Sequence, residues 1–321
     1  MDKVQILNVE GLAKDSHEGA RVERSHVRTK TYIKDFAFCL KHHPREWPYL
    51  GIPGLAAAQA LGVPLTECNE AGIMNFARCQ FGCWFCFAGE LMDAGADVVE
   101  EVTIADLWEE LMDQRREDAE KGNPWHIIRA TGGEPMLQQD ELVALLEWRH
   151  HQEPEQFYFW LDTNLGVMPT EETLTRFVEV GEPMGVVGCF KGFTPADVQD
   201  NTDQAVVTLE DQFAVAYAWE RSGLDVYYYV VDSTSYGDHP PLDLAKGFID
   251  KMRYALGPTA PLKTCVLEIK DHYACATREK PDYLETNRVG PSVWLEALRS
   301  FYSDEELWTP PHMLRCGGRD G

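Results

Sequence analysis

Six short runs rich in β-branched and aromatic residues alternate with segments of helical length, and this alternation limits the possible folds more than any other feature of the chain. The runs are Ile73–Arg78, Trp125–Ala130, Phe157–Asn164, Met184–Gly192, Asp225–Thr234 and Leu262–Ile269. Helices are expected between them: from Thr103 through Glu120, over "QQDELVALLEWRHH", and over Glu171–Val180, Leu209–Ser222 and Leu242–Tyr254, with "SVWLEALRSFY" after the sixth run. Thr103 and Asp106 stand at the spacing of a capping box, which marks the start of the first helix. Because helices separate the strands throughout, the pattern predicts an α/β fold, a parallel sheet with helices outside it. The core is expected over residues 71–270. An N-terminal extension covers 1–70, and a C-terminal extension with the last helix covers 271–321.

Composition then narrows the partners. The chain has 321 residues, with 29 Lys and Arg against 53 Asp and Glu and a formal net charge of -24. Such a field repels a phosphate backbone and anionic lipid, so neither nucleic acid nor a membrane is an expected partner. No apolar run has transmembrane length and no basic n-region precedes an apolar stretch, so a cytoplasmic protein is expected.

Nine cysteines in a chain of this size, without an export signal, point away from a disulfide framework. Three of them fall in "RCQFGCWFCF", at Cys79, Cys83 and Cys86. A structural zinc site usually has four Cys or His ligands, commonly as two pairs, and no second pair follows. His42, His43 or Cys68 would have to complete such a site from a distance. Three thiolates around a [4Fe-4S] cluster leave one iron without a protein ligand, free to bind a substrate or cofactor. Both a catalytic cluster and a noncatalytic zinc or iron-sulfur site stand on the cysteines alone. A second segment, "WHIIRATGGEPML", joins a β-prone run to Gly132 and Gly133, which permit a tight turn and a close backbone approach, before Glu134 and Pro135.

Together these segments resemble the radical S-adenosylmethionine (radical SAM) enzymes. The family's cysteine signature has the spacing of Cys79, Cys83 and Cys86, with an aromatic residue, here Phe85, before the last cysteine. Its GGEP-type segment at the end of the second strand resembles Thr131, Gly132, Gly133, Glu134 and Pro135. The resemblance implies a partial barrel of six βα units, a [4Fe-4S] cluster, and SAM chelated to the open iron through its amino and carboxylate groups. It implies reductive cleavage of SAM to methionine and a 5'-deoxyadenosyl radical that takes hydrogen from a substrate, an oxidoreductase chemistry fed by an electron donor such as flavodoxin or ferredoxin. The GGEP segment would hold the SAM ammonium through its backbone and the Glu134 carboxylate. The substrate is left open among a glycine of a partner protein, a peptide and a small molecule, and no single catalytic residue is singled out.

In a parallel barrel, ligands bind at the C-terminal strand ends. Period-two alternation on the third run puts Tyr158, Trp160, Asp162 and Asn164 on one face, expected to be the lumen, and Phe157, Phe159 and Leu161 on the other. "LDTN" resembles the strand end that approaches the SAM ribose and methionine in enzymes activating glycyl radical proteins, which makes this branch the nearest in motif and Asp162 and Asn164 cofactor-binding candidates. Leu165 departs from that pattern, where glycine is common. "CFKGFTP" after the fourth run resembles a segment of related archaeal proteins, and Lys191 is a candidate for the SAM carboxylate or a substrate anion. Cys189 reads as a small core residue, Tyr227, Tyr228 and Tyr229 as strand formers, and Asp232 as a weaker site candidate. Cys265, Cys275 and Cys316 form no short pair, so a single cluster is expected.

Overall fold

The computed structural model describes residues 3–7, 27–31, 52–68, 70–86, 99–152, 156–203, 206–233, 240–269 and 289–314. Within them, nine strands form one sheet: β1 (Lys3–Leu7), β2 (Val27–Thr31), β3 (Glu70–Phe76), β4 (Val99–Thr103), β5 (Ile127–Gly132), β6 (Tyr158–Thr163), β7 (Met184–Phe190), β8 (Asp225–Asp232) and β9 (Thr264–Glu268). The order is β4-β1-β3-β5-β6-β7-β8-β9, with β2 also paired to β3. The six expected runs are the six parallel strands, β3 and β5 to β9, in sequence order. Among the described residues β4 and β9 do not pair, so this is a partial (β/α)6 barrel.

Three antiparallel strands at one edge were not expected. Along β3, β2 covers Glu70 to Met74 and β1 pairs at Phe76, while β1 carries β4 on its far side. Their pairing covers an edge that would otherwise offer unpaired backbone groups. Residues 3–7 and 27–31 thus belong to the same sheet as the core.

The helices are α1 (Ile52–Leu61), α2 (Ile104–Glu120), α3 (Gln139–Gln152), α4 (Glu171–Val180), α5 (Pro195–Thr202), α6 (Leu209–Ser222), α7 (Pro241–Leu256), α8 (Gly290–Leu298) and α9 (Asp304–Trp308). The Thr103 side chain accepts the Asp106 N–H at 3.1 Å, which starts α2 where the spacing expected it. The helix α5 was not expected, because "PADVQDNT" is polar and short. It forms because Thr194 and Asp197 make a complete capping box and Pro195 supplies a fitting φ in the first turn.

The two faces of the sheet bury different sets. Ile128, Phe159, Leu161, Val186, Val226 and Tyr228 pack against the outer helices. On the other face Ala71, Ile127, Tyr158, Trp160, Val187, Tyr227 and Tyr229 pack against Ile52, Ala56 and Ala57 of α1. The alternation read on the third run therefore holds, but much of the inner face is filled: α1 closes it with small and branched side chains. Trp160 is fully buried there, with its ring centroid 5.3 Å from that of Tyr227 and 6.3 Å from that of Tyr158. Trp160→Ala removes the largest member of this cluster and is expected to destabilise the protein by about 3–5 kcal/mol in denaturant titration, whereas a loss within about 1 kcal/mol would mean that the inner face is not a packed core.

Candidate active site

The C-terminal ends of β3, β5, β6 and β7 bring most of the sequence-predicted residues to one rim. The cysteine loop leaves β3 after Phe76, and Arg78 turns it with a left-handed backbone, φ 68. The GGEP turn leaves β5 beside it. Gly133 donates its N–H to the Phe76 carbonyl at 2.8 Å and Glu134 donates to the Arg78 carbonyl at 2.7 Å. Gly132 has φ +96, and a Cβ at Gly133 would lie 1.9 Å from the Arg78 carbonyl oxygen. The paired glycines therefore serve the approach of one backbone to another, because any side chain at 133 would push the turn off the cysteine loop.

Glu134 is fully buried. Its carboxylate accepts the N–H of Asn164 at 2.6 Å and of Met136 at 3.0 Å, and it is also bonded by the Thr163 side chain. Burial pushes its pKa up to about 7 against the pull of these donors and of Lys191. The carboxylate ties the turn to the end of β6 and is shut from solvent, a different placement from an acid facing a ligand's ammonium. Within this segment Gly132 and Gly133 are the partly exposed members, and Thr131 and Pro135 are buried.

Asn164 stands across from the loop. Its Nδ2 donates to the Cys79 Sγ at 3.4 Å, and its Oδ1 accepts from Gln80 Nε2 at 3.0 Å. Its carbonyl accepts from Gln212 Nε2 at 2.6 Å while its N–H goes to Glu134, so the peptide groups on both sides of this residue are held. Leu165 follows with φ 60, the conformation glycine favours. The leucine is retained there by full burial: a Cβ at Gly188 would meet its Cδ2 at 2.6 Å, so Gly188 leaves it room. Asp162 does lie on the inner face, but it is engaged by Arg129 of β5, whose Nε donates at 2.7 Å. Asp232 is fully buried and accepts the N–H groups of Gly290 at 2.7 Å and Val289 at 3.2 Å, which anchors the start of α8 and places it outside the rim cluster.

The cysteines lie in a hydrogen-bonded loop. Cys79 Sγ accepts the Phe81 N–H at 3.4 Å, and Cys86 N–H donates to the Cys83 carbonyl at 3.0 Å. Burial pushes the Cys79 thiol up to about 11 and the Cys83 thiol up to about 12, while the Lys191 cation opposes both shifts. Ligation must displace those protons. Burial pulls the Lys191 ammonium down, but Cys189, Cys83 and Cys79 outweigh it and hold its pKa above the usual lysine value. Lys191 thus belongs to the cysteine group, and Cys189 bonds it. Phe85 is half-buried, edge-on to Trp84 with ring centroids 5.4 Å apart. N–H donors on a cysteine sulfur and a nearby cation fit a thiolate-bound, anionic cluster. Among the described residues no three His, Cys, Asp or Glu side chains are gathered closely enough to hold a metal ion.

Cys68 is buried below, against α1, and Cys265 packs on the inner face of β9. His42, His43, Cys275 and Cys316 lie outside the described residues. Gln80, Trp84, Arg129, Asn201 and Gln212 all build the rim or the lumen, and none was singled out in the sequence. Arg129 alone left a signal, a charge within the apolar run "IIRAT".

No protein-family model matches this chain, and no curated protein matches it. Among solved structures it is similar to Streptococcus suis SuiB bound to the precursor peptide SuiA, with 15% identity, a TM-score of 0.46, and coverage of 65% of this chain and 41% of that one. It is similar to anSMEcpe with bound AdoMet, with 16% identity, a TM-score of 0.44, and coverage of 70% and 55%. A third is the radical S-adenosylmethionine methyltransferase TsrM from Kitasatospora setae with cobalamin and a [4Fe-4S] cluster, at 15% identity, a TM-score of 0.41, and coverage of 60% and 32%. The matched region thus spans about two fifths of the SuiB chain and just over half of anSMEcpe. Among the described residues no helix is long and apolar enough to cross a membrane.

The raised Glu134 pKa gives a testable sign. The folded state binds this proton more tightly than the unfolded chain, so the stabilisation from Glu134 is greatest below pH 4.5 and falls as pH rises towards 7. The loss of unfolding free energy caused by Glu134→Ala is expected to be larger at pH 4.5 than at pH 8. Equal losses at both would mean that the carboxyl titrates normally.

Proposed function

We propose that this chain is a radical SAM enzyme in which Cys79, Cys83 and Cys86 hold one [4Fe-4S] cluster and the GGEP turn and strand ends beside them hold SAM. One observation carries the reading: the cysteine loop and the GGEP turn, about fifty residues apart in sequence, are bonded backbone to backbone at the C-terminal end of a parallel sheet.

When bound, the reduced cluster and SAM supply a 5'-deoxyadenosyl radical that takes hydrogen from a substrate. The chain's own residues bind and orient. The three thiols lose their protons on ligation, and the backbone N–H of Phe81 and the side-chain amide of Asn164 stabilise charge on Cys79. The partly exposed Gly132 and Gly133 offer backbone acceptors to the SAM ammonium, while buried Glu134 keeps them in place. Lys191 supplies the cation for the SAM carboxylate. Asp162, oriented by Arg129, is the group that would face the SAM ribose, and the α1 cluster closes the inner face below. A flavodoxin- or ferredoxin-type donor fits the reductive step. A glycine of a partner protein, a peptide and a small molecule are the substrate classes to be separated, the first being the version that the "LDTN" resemblance supports.

The test is anaerobic reconstitution with iron and sulfide, reduction, addition of SAM and a search for 5'-deoxyadenosine. About four irons per chain and formation of that nucleoside are expected, and both should vanish when all three cysteines are changed to Ala. A colourless zinc protein that never cleaves SAM would overturn the proposal, and about four irons retained by the triple variant would show a second cluster.

A further inference from the structure

The GGEP turn is bonded to the first part of the cysteine loop, through Phe76 and Arg78. The part that bears Cys83 and Cys86 is held from the other side, by the C-terminal end of α5. Gly82 donates its N–H to the Thr202 carbonyl at 2.8 Å, and Trp84 donates to the Asn201 carbonyl at 3.3 Å. The Trp84 indole Nε1 donates to Asn201 Oδ1 at 2.9 Å. Asn201 is 1% exposed, and its Nδ2 donates to the carbonyls of Lys191 at 2.7 Å and Ser233 at 3.1 Å. Its two amide hydrogens and its oxygen are all committed. One side chain therefore joins the cysteine loop to the ends of β7 and β8, and it also fixes the peptide of Lys191, the cation beside the thiols.

We propose that Asn201 is a positioning residue that sets the Cys83–Cys86 half of the loop, and Lys191 with it, over the strand ends; the cluster part of this statement rests on the function proposed above. An amide suits the place for a chemical reason. Two carbonyl oxygens need donors, and one indole N–H needs an acceptor, from a single buried side chain. Asn201→Asp keeps the shape and the acceptor for Trp84 but turns lone pairs towards both carbonyls. Trp84→Phe removes the indole bond, with part of the buried ring, and leaves the Asn201 amide and its bonds to both carbonyls intact.

Hydrogen exchange of the unloaded protein reads the positioning without any cluster. The amides of Gly82 and Trp84 are expected to exchange at least tenfold faster in Asn201→Asp, with Trp84→Phe between it and the wild type. A control is Asp118→Ala, which removes the acceptor of Trp125 Nε1 at 3.0 Å near the opposite end of β5. It should lower the melting temperature without changing exchange over residues 79–86. In reconstituted protein, Asn201→Asp should lose iron to a chelator faster and show a smaller SAM-induced change in the EPR spectrum of the reduced cluster. Wild-type exchange in folded variants, or faster exchange with unchanged iron loss and SAM response, would overturn the proposal; if Asn201→Asp does not fold, Trp84→Phe decides. If the wild type takes up no cluster, the functional reading fails while the exchange measurement still decides whether Asn201 sets the loop.

Discussion

The rim of this sheet depends on one close approach, that of the Gly133 backbone to the cysteine loop. Two main-chain hydrogen bonds join the segments, to Phe76 and Arg78, and they form only because no Cβ stands at Gly133, where it would lie 1.9 Å from an oxygen. A glycine placed for a ligand and a glycine placed for a neighbouring loop look alike in sequence. Here the second use is visible, and it brings the partly exposed backbone of the turn alongside the thiols. The same contact holds Arg78 in its left-handed conformation, a backbone state that costs about 1–2 kcal/mol and has to be over-determined by its surroundings.

Beyond that contact, the rim is assembled by buried side chains bonded to backbone. Strand ends in a parallel sheet expose peptide groups that no further strand satisfies, and each left buried without a partner costs about 1–3 kcal/mol. Glu134 and Gln212 satisfy the N–H and the carbonyl of Asn164, Gln212 also takes the Lys191 N–H, and Asn201 takes the Lys191 and Ser233 carbonyls. Asp232 does the same for the start of α8. Each of these side chains comes from a different element, so the geometry at the thiols follows from the docking of α5, α6 and α8 as well as from the strands. This is why Glu134 and Asp232, read as acids near a ligand, are spent on the protein's own N–H groups.

The two faces of the sheet divide the remaining work. The outer face is a large apolar core under the helices, and the inner face is packed by aromatic rings against α1. The inner cluster ends below the upper rim, where the Arg129–Asp162 ion pair marks the change from apolar to polar lining. The strongly acidic composition has its counterpart in the first turns of the helices, several of which begin with Asp or Glu behind a Thr or Ser cap.

Much of the architecture was legible because it follows from local periodicity. Glu171–Val180 and Leu209–Ser222 are helices with the bounds their patterns predict, and each of the six parallel strands overlaps the run expected for it, although the first lies at Glu70–Phe76 and not Ile73–Arg78. The strand Trp125–Ala130 shifts to Ile127–Gly132 because the ladder to β3 carries β5 into the first glycine. The edge strands, α1, α5 and α9 leave no such pattern: the strands pair with partners remote in sequence, α1 is small and apolar around most of its surface, and capping boxes, not apolar stripes, make α5 and α9. For the site, the sequence by itself determined the three thiols, the glycine pair and the alternating face that carries Asp162 and Asn164, since each depends on residues adjacent in the chain. Only the tertiary structure decided what these groups touch: Asn164 meets Glu134 across 30 residues and Asn201 meets Trp84 across 117, contacts set by strand register and helix docking, which no local pattern encodes.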